Sequence, residues 1–294
     1  MMMRLTLIGT ILVVGAIVLA AACAPLKTFD TLMPKDGEST EIARNIAYGA
    51  GPRRMLDIYA PKGTAAGAHL PVIVFIYGGS WANGTREGYG FAGRALAAAG
   101  FIVVVPDYRL VPEVHFPGFL QDCADAVRWT RGHIAPYGGD ADRLVLIGHS
   151  AGAYNAAMLA LDPEWLGLDR SAVKGFAGLA GPYDFLPFDG PITKATFGGW
   201  PKPEETQPIH YADASAPPAL LLHGAKDDTV WPRNSEHLQK KLATAGVASE
   251  LKIYPDLGHV GIVTAFAKPF RGRAPVLADV LAFAARVTAR PGGR

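Results

Sequence analysis

Few stretches restrict a backbone as tightly as Leu144-Val145-Leu146-Ile147-Gly148-His149-Ser150-Ala151-Gly152, which continues as Ala153-Tyr154-Asn155-Ala156-Ala157-Met158. The apolar run predicts a strand, the alanine-rich continuation a helix, and the G-x-S-x-G pentapeptide a sharp turn between them. Glycines on both sides let strand and helix pass close together. The serine is then forced into a tight backbone and its hydroxyl projects from the top of the sheet. Ser150 is the candidate nucleophile. A serine hydroxyl reacts poorly until a base takes its proton, so the rest of the chain must bring a histidine, a carboxylate and fixed oxyanion donors to this point.

Buried strands and helices alternate around that turn. Pro71-Val72-Ile73-Val74-Phe75-Ile76 and Phe101-Ile102-Val103-Val104-Val105 are β-branched runs, apolar on both faces, as strands of a parallel sheet covered on both sides must be. Val173 to Leu179, Ala219 to Leu222 and Glu250 to Tyr254 read as further strands. Helices are predicted over Tyr89 to Ala99, Pro117 to Ala135, Asn234 to Ala245 and Pro275 to Thr288. Asn45 to Tyr48 and Met55 to Tyr59, separated by Gly49-Ala50-Gly51-Pro52, predict an edge hairpin. The fold class is α/β, with a mostly parallel, doubly wound sheet flanked by helices. Ligands of such sheets bind beyond the carboxyl ends of the strands. One stretch breaks the alternation: about 181–218 is rich in proline, glycine and aromatics, and is expected to be a short lid or cap insertion.

The termini and the charge bound the remaining possibilities. Leu5 to Ala22 is an apolar run preceded by Arg4 and ending in Ala20-Ala21-Ala22-Cys23, so residues 1–22 are expected to be an export signal. A cysteine directly after small residues resembles a bacterial lipoprotein signal, which would lipidate Cys23 and attach the chain to a membrane. A cleaved periplasmic or secreted form and an uncleaved anchor are the alternatives. Residues 23–45 are polar and expected to be a linker, leaving 46–290 as one domain. The net charge of +2 carries no basic cluster interleaved with aromatics, which argues against nucleic acid and for a small-molecule ligand. Neither a metal-ligand motif nor a nucleotide loop is present, so no metal or cofactor is expected. Cys123, on a predicted helix and without activating neighbours, is expected to be a small buried hydrophobe.

Each chemical requirement has a candidate after a predicted strand. His223-Gly224-Ala225-Lys226-Asp227-Asp228 offers two adjacent carboxylates. Asp256-Leu257-Gly258-His259-Val260-Gly261 places one of the eight histidines in a glycine-bracketed loop. The order Ser, Asp, His and these positions fit an acyl-transfer triad, in which Ser150 attacks, His259 moves the proton and an aspartate holds the imidazole. Ala151, directly after the nucleophile, and the loop Tyr77-Gly78-Gly79-Ser80-Trp81 are the sources of oxyanion donors. His223 is expected to be packed at its strand end and His149 to support the elbow.

Together these residues resemble the α/β-hydrolase superfamily, in particular the hormone-sensitive-lipase-like carboxylesterases and the arylformamidase-like esterases, from about Ile46 to Phe283. The segment Asp107-Tyr108-Arg109-Leu110-Val111-Pro112-Glu113, with Phe116-Pro117 and Asp122, is similar to a structural motif of the first branch. Gly148-His149-Ser150-Ala151-Gly152 leans toward the second. His223-Gly224 with Asp227 and Val230 resembles the superfamily's acid loop, which implies Asp227, not Asp228, as the triad acid. The resemblance also implies Gly79, Ser80 and Ala151 as oxyanion donors. Tyr77 stands where those relatives carry histidine. The implied activity is hydrolysis of small carboxylic esters through an acyl-enzyme, and the modest insertion at 181–218 together with the polar lead-in without a cap points to short acyl chains. An amidase, formamidase or peptidase could use the same triad, and a non-catalytic binding module is the remaining alternative.

Overall fold

The computed structural model describes residues 25–290. The expected export signal and Cys23 lie outside them. The chain opens with helix α1 (Pro25–Leu32), then strands β1 (Ser39–Ala47), β2 (Met55–Pro61) and β3 (Leu70–Ile76), helix α2 (Gly90–Ala97), strand β4 (Ile102–Pro106), helix α3 (Gly118–His133) and strand β5 (Gly139–His149). Helices α4 (Ala151–Leu161) and α5 (Pro163–Leu166), strand β6 (Val173–Leu179), helix α6 (Pro191–Phe197), strand β7 (Ala219–Gly224), helix α7 (Arg233–Thr244), strand β8 (Ser249–Tyr254), and helices α8 (His259–Thr264) and α9 (Val276–Val287) follow.

Eight strands form one sheet in the order β1-β2-β4-β3-β5-β6-β7-β8. The β1–β2 and β2–β4 pairs are antiparallel and the rest are parallel. Burial explains the composition: all residues of β4 and β7 are buried, whereas the edge strands β1 and β8 are mostly partly exposed or exposed. The chain runs from β3 outward to β4, then returns past β3 to β5. Right-handed crossovers therefore put α2 on one face and α3 on the other, and the winding reverses between β3 and β5. The loops after those two strands carry Gly78-Gly79-Ser80 and Ser150, so the topology itself brings these two loops together.

The polar lead-in is not a linker. Its first half forms α1, and Ser39 onward is edge strand. Phe29 packs edge-on against Phe91 at 5.1 Å and stacks with Phe270 at 5.9 Å. The Asp36 carboxylate pairs with both terminal nitrogens of Arg271, at 2.8 and 2.6 Å. One aromatic and one buried acid, each meeting a residue more than 200 positions away, fix a stretch whose composition alone reads as loop.

The stretch 181–218 folds onto the body through aromatic packing. Phe197 lies 4.8 Å from Trp81, 5.4 Å from Tyr154 and 5.4 Å from Phe185, centroid to centroid. Its backbone is held by side chains: Asn234 Oδ1 accepts the N–H groups of Tyr183 and Asp184, each at 2.9 Å, and Gln207 Oε1 accepts that of Phe185 at 2.8 Å. Polar side chains thereby satisfy backbone groups in a segment that lacks a ladder of its own.

Candidate active site

The elbow works by close approach. Ser150 has φ 55° and ψ −123°, in the positive-φ region that side chains other than glycine rarely adopt. Its N–H donates to the Leu179 carbonyl at 2.8 Å, which locks the turn to β6. A Cβ on Gly152 would fall 2.0 Å from the Ile76 carbonyl oxygen, and one on Gly148 would fall 2.2 Å from that of Gly152. Only glycine fits either position, as the pentapeptide pattern implies.

Ser150, Asp227 and His259 come from three different strand ends and meet. His259 Nε2 is 2.8 Å from Ser150 Oγ, and His259 Nδ1 is 2.8 Å from Asp227 Oδ2. Of the two adjacent acids, Asp227 is buried and Asp228 is exposed. Asp227 Oδ1 accepts the backbone N–H groups of Thr229 at 3.0 Å and Val230 at 2.9 Å. Burial pushes this carboxyl up, but hydrogen bonds from His223, His259 and the Val230 N–H outweigh it and hold Asp227 below the usual carboxylate range. The acid and histidine loops are tied together: Lys226 N–H donates to the Leu257 carbonyl at 2.9 Å. That same carbonyl lies 2.2 Å from where a Cβ on Gly224 would be, so the His223-Gly224 dipeptide needs its glycine.

The loop after β3 is wound unusually. Gly79, Ser80 and Trp81 have φ of 141°, 53° and 56° in succession. The Gly79 carbonyl accepts the N–H groups of Ala82 at 3.1 Å and Asn83 at 2.8 Å, while those of Gly79 and Ser80 donate to no other backbone or side chain among the described residues. Ser80 and Ala151 line the same cavity as Ser150; Gly79 lies one residue behind that wall. Tyr77 is buried beneath the loop and stacks on Tyr108 at 4.8 Å. Arg53 donates to Tyr77 Oη at 2.7 Å, to the Gly84 carbonyl at 2.8 Å and to the Tyr108 carbonyl at 2.9 Å. A tyrosine–arginine pair thus underlies the loop where the resembling families carry histidine.

His149 ties the remaining parts together. Its Nε2 is 3.0 Å from the His259 carbonyl, which can only accept, so Nε2 carries the proton and Nδ1 accepts from Tyr89 Oη at 3.1 Å. Tyr89 Oη in turn accepts the Gly78 N–H at 3.3 Å. Burial, together with the neighbouring His259, pushes His149 down to about 3, so it stays neutral near neutral pH. Arg53 and Tyr89 are the supporting residues that sequence reasoning missed; neither lies in a motif, and only the fold reveals them.

The cavity above Ser150 measures about 280 Å³. Pro182, Phe185, Leu186, Pro187 and Ile192 from the 181–218 stretch wall one side, and Val230, Trp231 and Arg233 the other. The Asp107–Asp122 segment is structural, since Asp107 pairs with the buried Arg86, and Arg109 grips Asp122 through two bonds of 2.8 Å. Cys123 is buried and forms no disulfide among the described residues. Among the described residues, no group of three or more histidine, cysteine or acidic side chains is placed to hold a metal ion.

A doubly wound sheet with a glycine-flanked nucleophile elbow and a Ser-His-Asp contact at its carboxyl edge defines an α/β-hydrolase. Within that superfamily the chain belongs to the BD-FAE family, whose family model matches residues 56–242. It is 33% identical to esterase LipQ of Mycobacterium tuberculosis over 70% of this chain and 53% of that protein. It is 27% identical to a probable isoprenylcysteine alpha-carbonyl methylesterase, ICMEL1, of Arabidopsis thaliana, over 80% of this chain and 54% of that protein. The chain therefore spans little more than half the length of these curated relatives. A truncated carbohydrate esterase from gut microbiota has the same fold, with a TM-score of 0.76 and 21% identity over 88% of this chain and all of that one.

Proposed function

We propose that this protein is a serine carboxylesterase. The observation that carries the reading is the unbroken contact Ser150 Oγ–His259 Nε2–Asp227, 2.8 Å at each step. In the derived mechanism His259 takes the Ser150 proton as the hydroxyl oxygen attacks the ester carbonyl, then returns it to the departing alcohol. Asp227 holds the Nδ1–H tautomer and stabilises the imidazolium. The N–H groups of Gly79, Ser80 and Ala151 receive the developing oxyanion; losing one such donor typically costs about 3 kcal/mol of barrier. Water then repeats the sequence on the acyl-enzyme. The esterase names of the relatives support the bond type.

The substrate reading is a small ester with a short acyl chain. A cavity of about 280 Å³ walled by Phe185, Pro187 and Ile192 supports it, because long chains would have to leave past that wall. Rates on p-nitrophenyl acetate, butyrate and decanoate, set beside N-formylkynurenine and aminoacyl anilides, test both halves. Hydrolysis of the decanoate as fast as the butyrate contradicts the short-chain reading, and faster cleavage of the amides contradicts the esterase. Export, with lipidation at Cys23, is the accompanying proposal. Palmitate incorporation in the full-length chain that is lost in Cys23→Ser tests it.

A further inference from the structure

Asp227 has two histidine neighbours, and the mechanism above uses only one. Its Oδ2 atom, 2.8 Å from His259 Nδ1, also lies 3.2 Å from His223 Nε2. His223 is fully buried; its Nε2 is 2.8 Å from the Val230 carbonyl and its Nδ1 is 2.8 Å from Ser235 Oγ. A carbonyl and an ionised carboxylate can only accept, so the proton sits on Nε2, directed at the Val230 carbonyl with Asp227 Oδ2 beside it. Nδ1 therefore offers a lone pair, and the Ser235 hydroxyl donates to it.

The directions close into one chain. Ser235 donates to His223, the His223 Nε2 that donates to the Val230 carbonyl lies 3.2 Å from Asp227 Oδ2, His259 donates to Asp227, and Ser150 donates to His259. A carboxylate is thus flanked on each side by a histidine and then a serine. One arm faces the cavity; the other, His223 and Ser235, is sealed from solvent. A histidine needed only for packing would be satisfied by Ser235 and the Val230 carbonyl, so its approach to Asp227 is an additional contact.

We propose that His223, oriented by Ser235, is a positioning residue for the general base, fixing Asp227 Oδ2 and competing with His259 for that oxygen. The proposal rests on the serine-hydrolase reading. A shared acceptor gives each donor a weaker bond than a sole donor would receive. Removing His223 leaves the oxygen to His259 and favours its imidazolium, so the acid limb of reactivity moves to higher pH even as loosened placement of Asp227 slows the reaction. The other groups near this chain are His149, whose ring centroid is 5.1 Å from that of His259, and Tyr89 behind it. Lys226, Asp228 and Asp256 on the two loops, and Arg233, Glu236 and His237 on α7, are exposed.

The test compares wild type with His223→Leu, His223→Gln and Ser235→Ala. Two quantities are read: the rate at which a fluorophosphonate labels Ser150 across about pH 5–9, which brackets histidine titration, and kcat and KM for p-nitrophenyl butyrate. A glutamine amide reaches the place of Nε2 and keeps a donor for Asp227; leucine does not. His223→Leu is expected to lower kcat about 10-fold with KM nearly unchanged, as loss of one hydrogen bond to a charged group would. Its acid limb should move up by about half a pH unit. His223→Gln should restore the limb, and Ser235→Ala should shift it in the leucine direction by less. Thermal melts establish that each variant is folded; if His223→Leu is not, Ser235→Ala carries the comparison. An acid limb that stays in place in the folded variants, or leucine and glutamine variants that are equally slow, overturns the proposal. A wild-type protein that is never labelled overturns the hydrolase reading beneath it.

Discussion

Ser150 Oγ and His259 Nε2 stand 2.8 Å apart, although 109 positions separate them in the chain. Ser150 is set by two glycines and the Leu179 carbonyl. His259 is set by Asp227 on one side and by the His149 bond to its carbonyl on the other. Strands β5, β6, β7 and the loop after β8 all contribute, so the contact reports on the packing of half the sheet.

Replacing Asp227 by asparagine should leave the fold intact and cut kcat by about 10⁴, because the amide favours the wrong imidazole tautomer. Combining it with Ser150→Ala should cost little more than Ser150→Ala alone, since the members act as a unit. Steady-state rates on p-nitrophenyl butyrate check both statements.

Gly152→Ala is expected to destabilise by more than about 3 kcal/mol or to abolish soluble folding, because its Cβ would sit 2.0 Å from one carbonyl oxygen and 2.4 Å from the next, both in rigid backbone. Gly132→Ala, on the open surface of α3 with nothing within 4 Å, should instead be neutral or mildly stabilising. Chemical denaturation of the two variants side by side measures the contrast.

Arg53→Ala should slow turnover by about 10-fold or more while leaving KM nearly unchanged, since it removes the donors that fix Tyr77, Gly84 and Tyr108 beneath the oxyanion loop. Tyr77→Phe removes one of those three contacts and should have the smaller effect. A KM that rises with kcat unaltered would place Arg53 in ground-state binding instead.

His149 makes the fold acid-sensitive. Its value near 3 in the folded protein lies below the ordinary 6.5, so between those values the unfolded chain binds the extra proton and stability falls as pH falls. The integrated loss by pH 3 is on the order of 4–5 kcal/mol at about 1.4 kcal/mol per unit. His149→Gln, which keeps a donor for the His259 carbonyl, should flatten the dependence of stability on pH over that window. Asp227 acts in the same direction but lower: its carboxyl is held below the ordinary value, so its contribution is complete above about pH 4 and is lost on further acidification. Urea melts at several pH values separate the two.

The elbow, the acid loop and the histidine loop are legible in the sequence because each joins a strand pattern to a backbone demand. Gly148, Gly152 and Gly224 are there for close approach, and that leaves a local trace. Tyr89, Arg53 and Ser235 leave none, since each acts through side-chain contacts with another element that only the fold brings within reach. The role of His223 is half visible: burial at a strand end can be read, but the reach to Asp227 depends on how the loop turns. The lead-in misleads for a related reason. Its composition is polar, and the contacts of Phe29 with Phe270 and of Asp36 with Arg271 exist only once the chain has folded.

The most direct test of the central claim is reaction of the folded protein with a fluorophosphonate at neutral pH, followed by peptide mapping, with Ser150→Ala as the control. Stoichiometric modification on Ser150, absent in the control and slowed by about 10³-fold or more in His259→Ala, is the expected result. Folded protein that is not modified, or is modified elsewhere, would contradict the account: the contact between Ser150 and His259 would then not activate the serine.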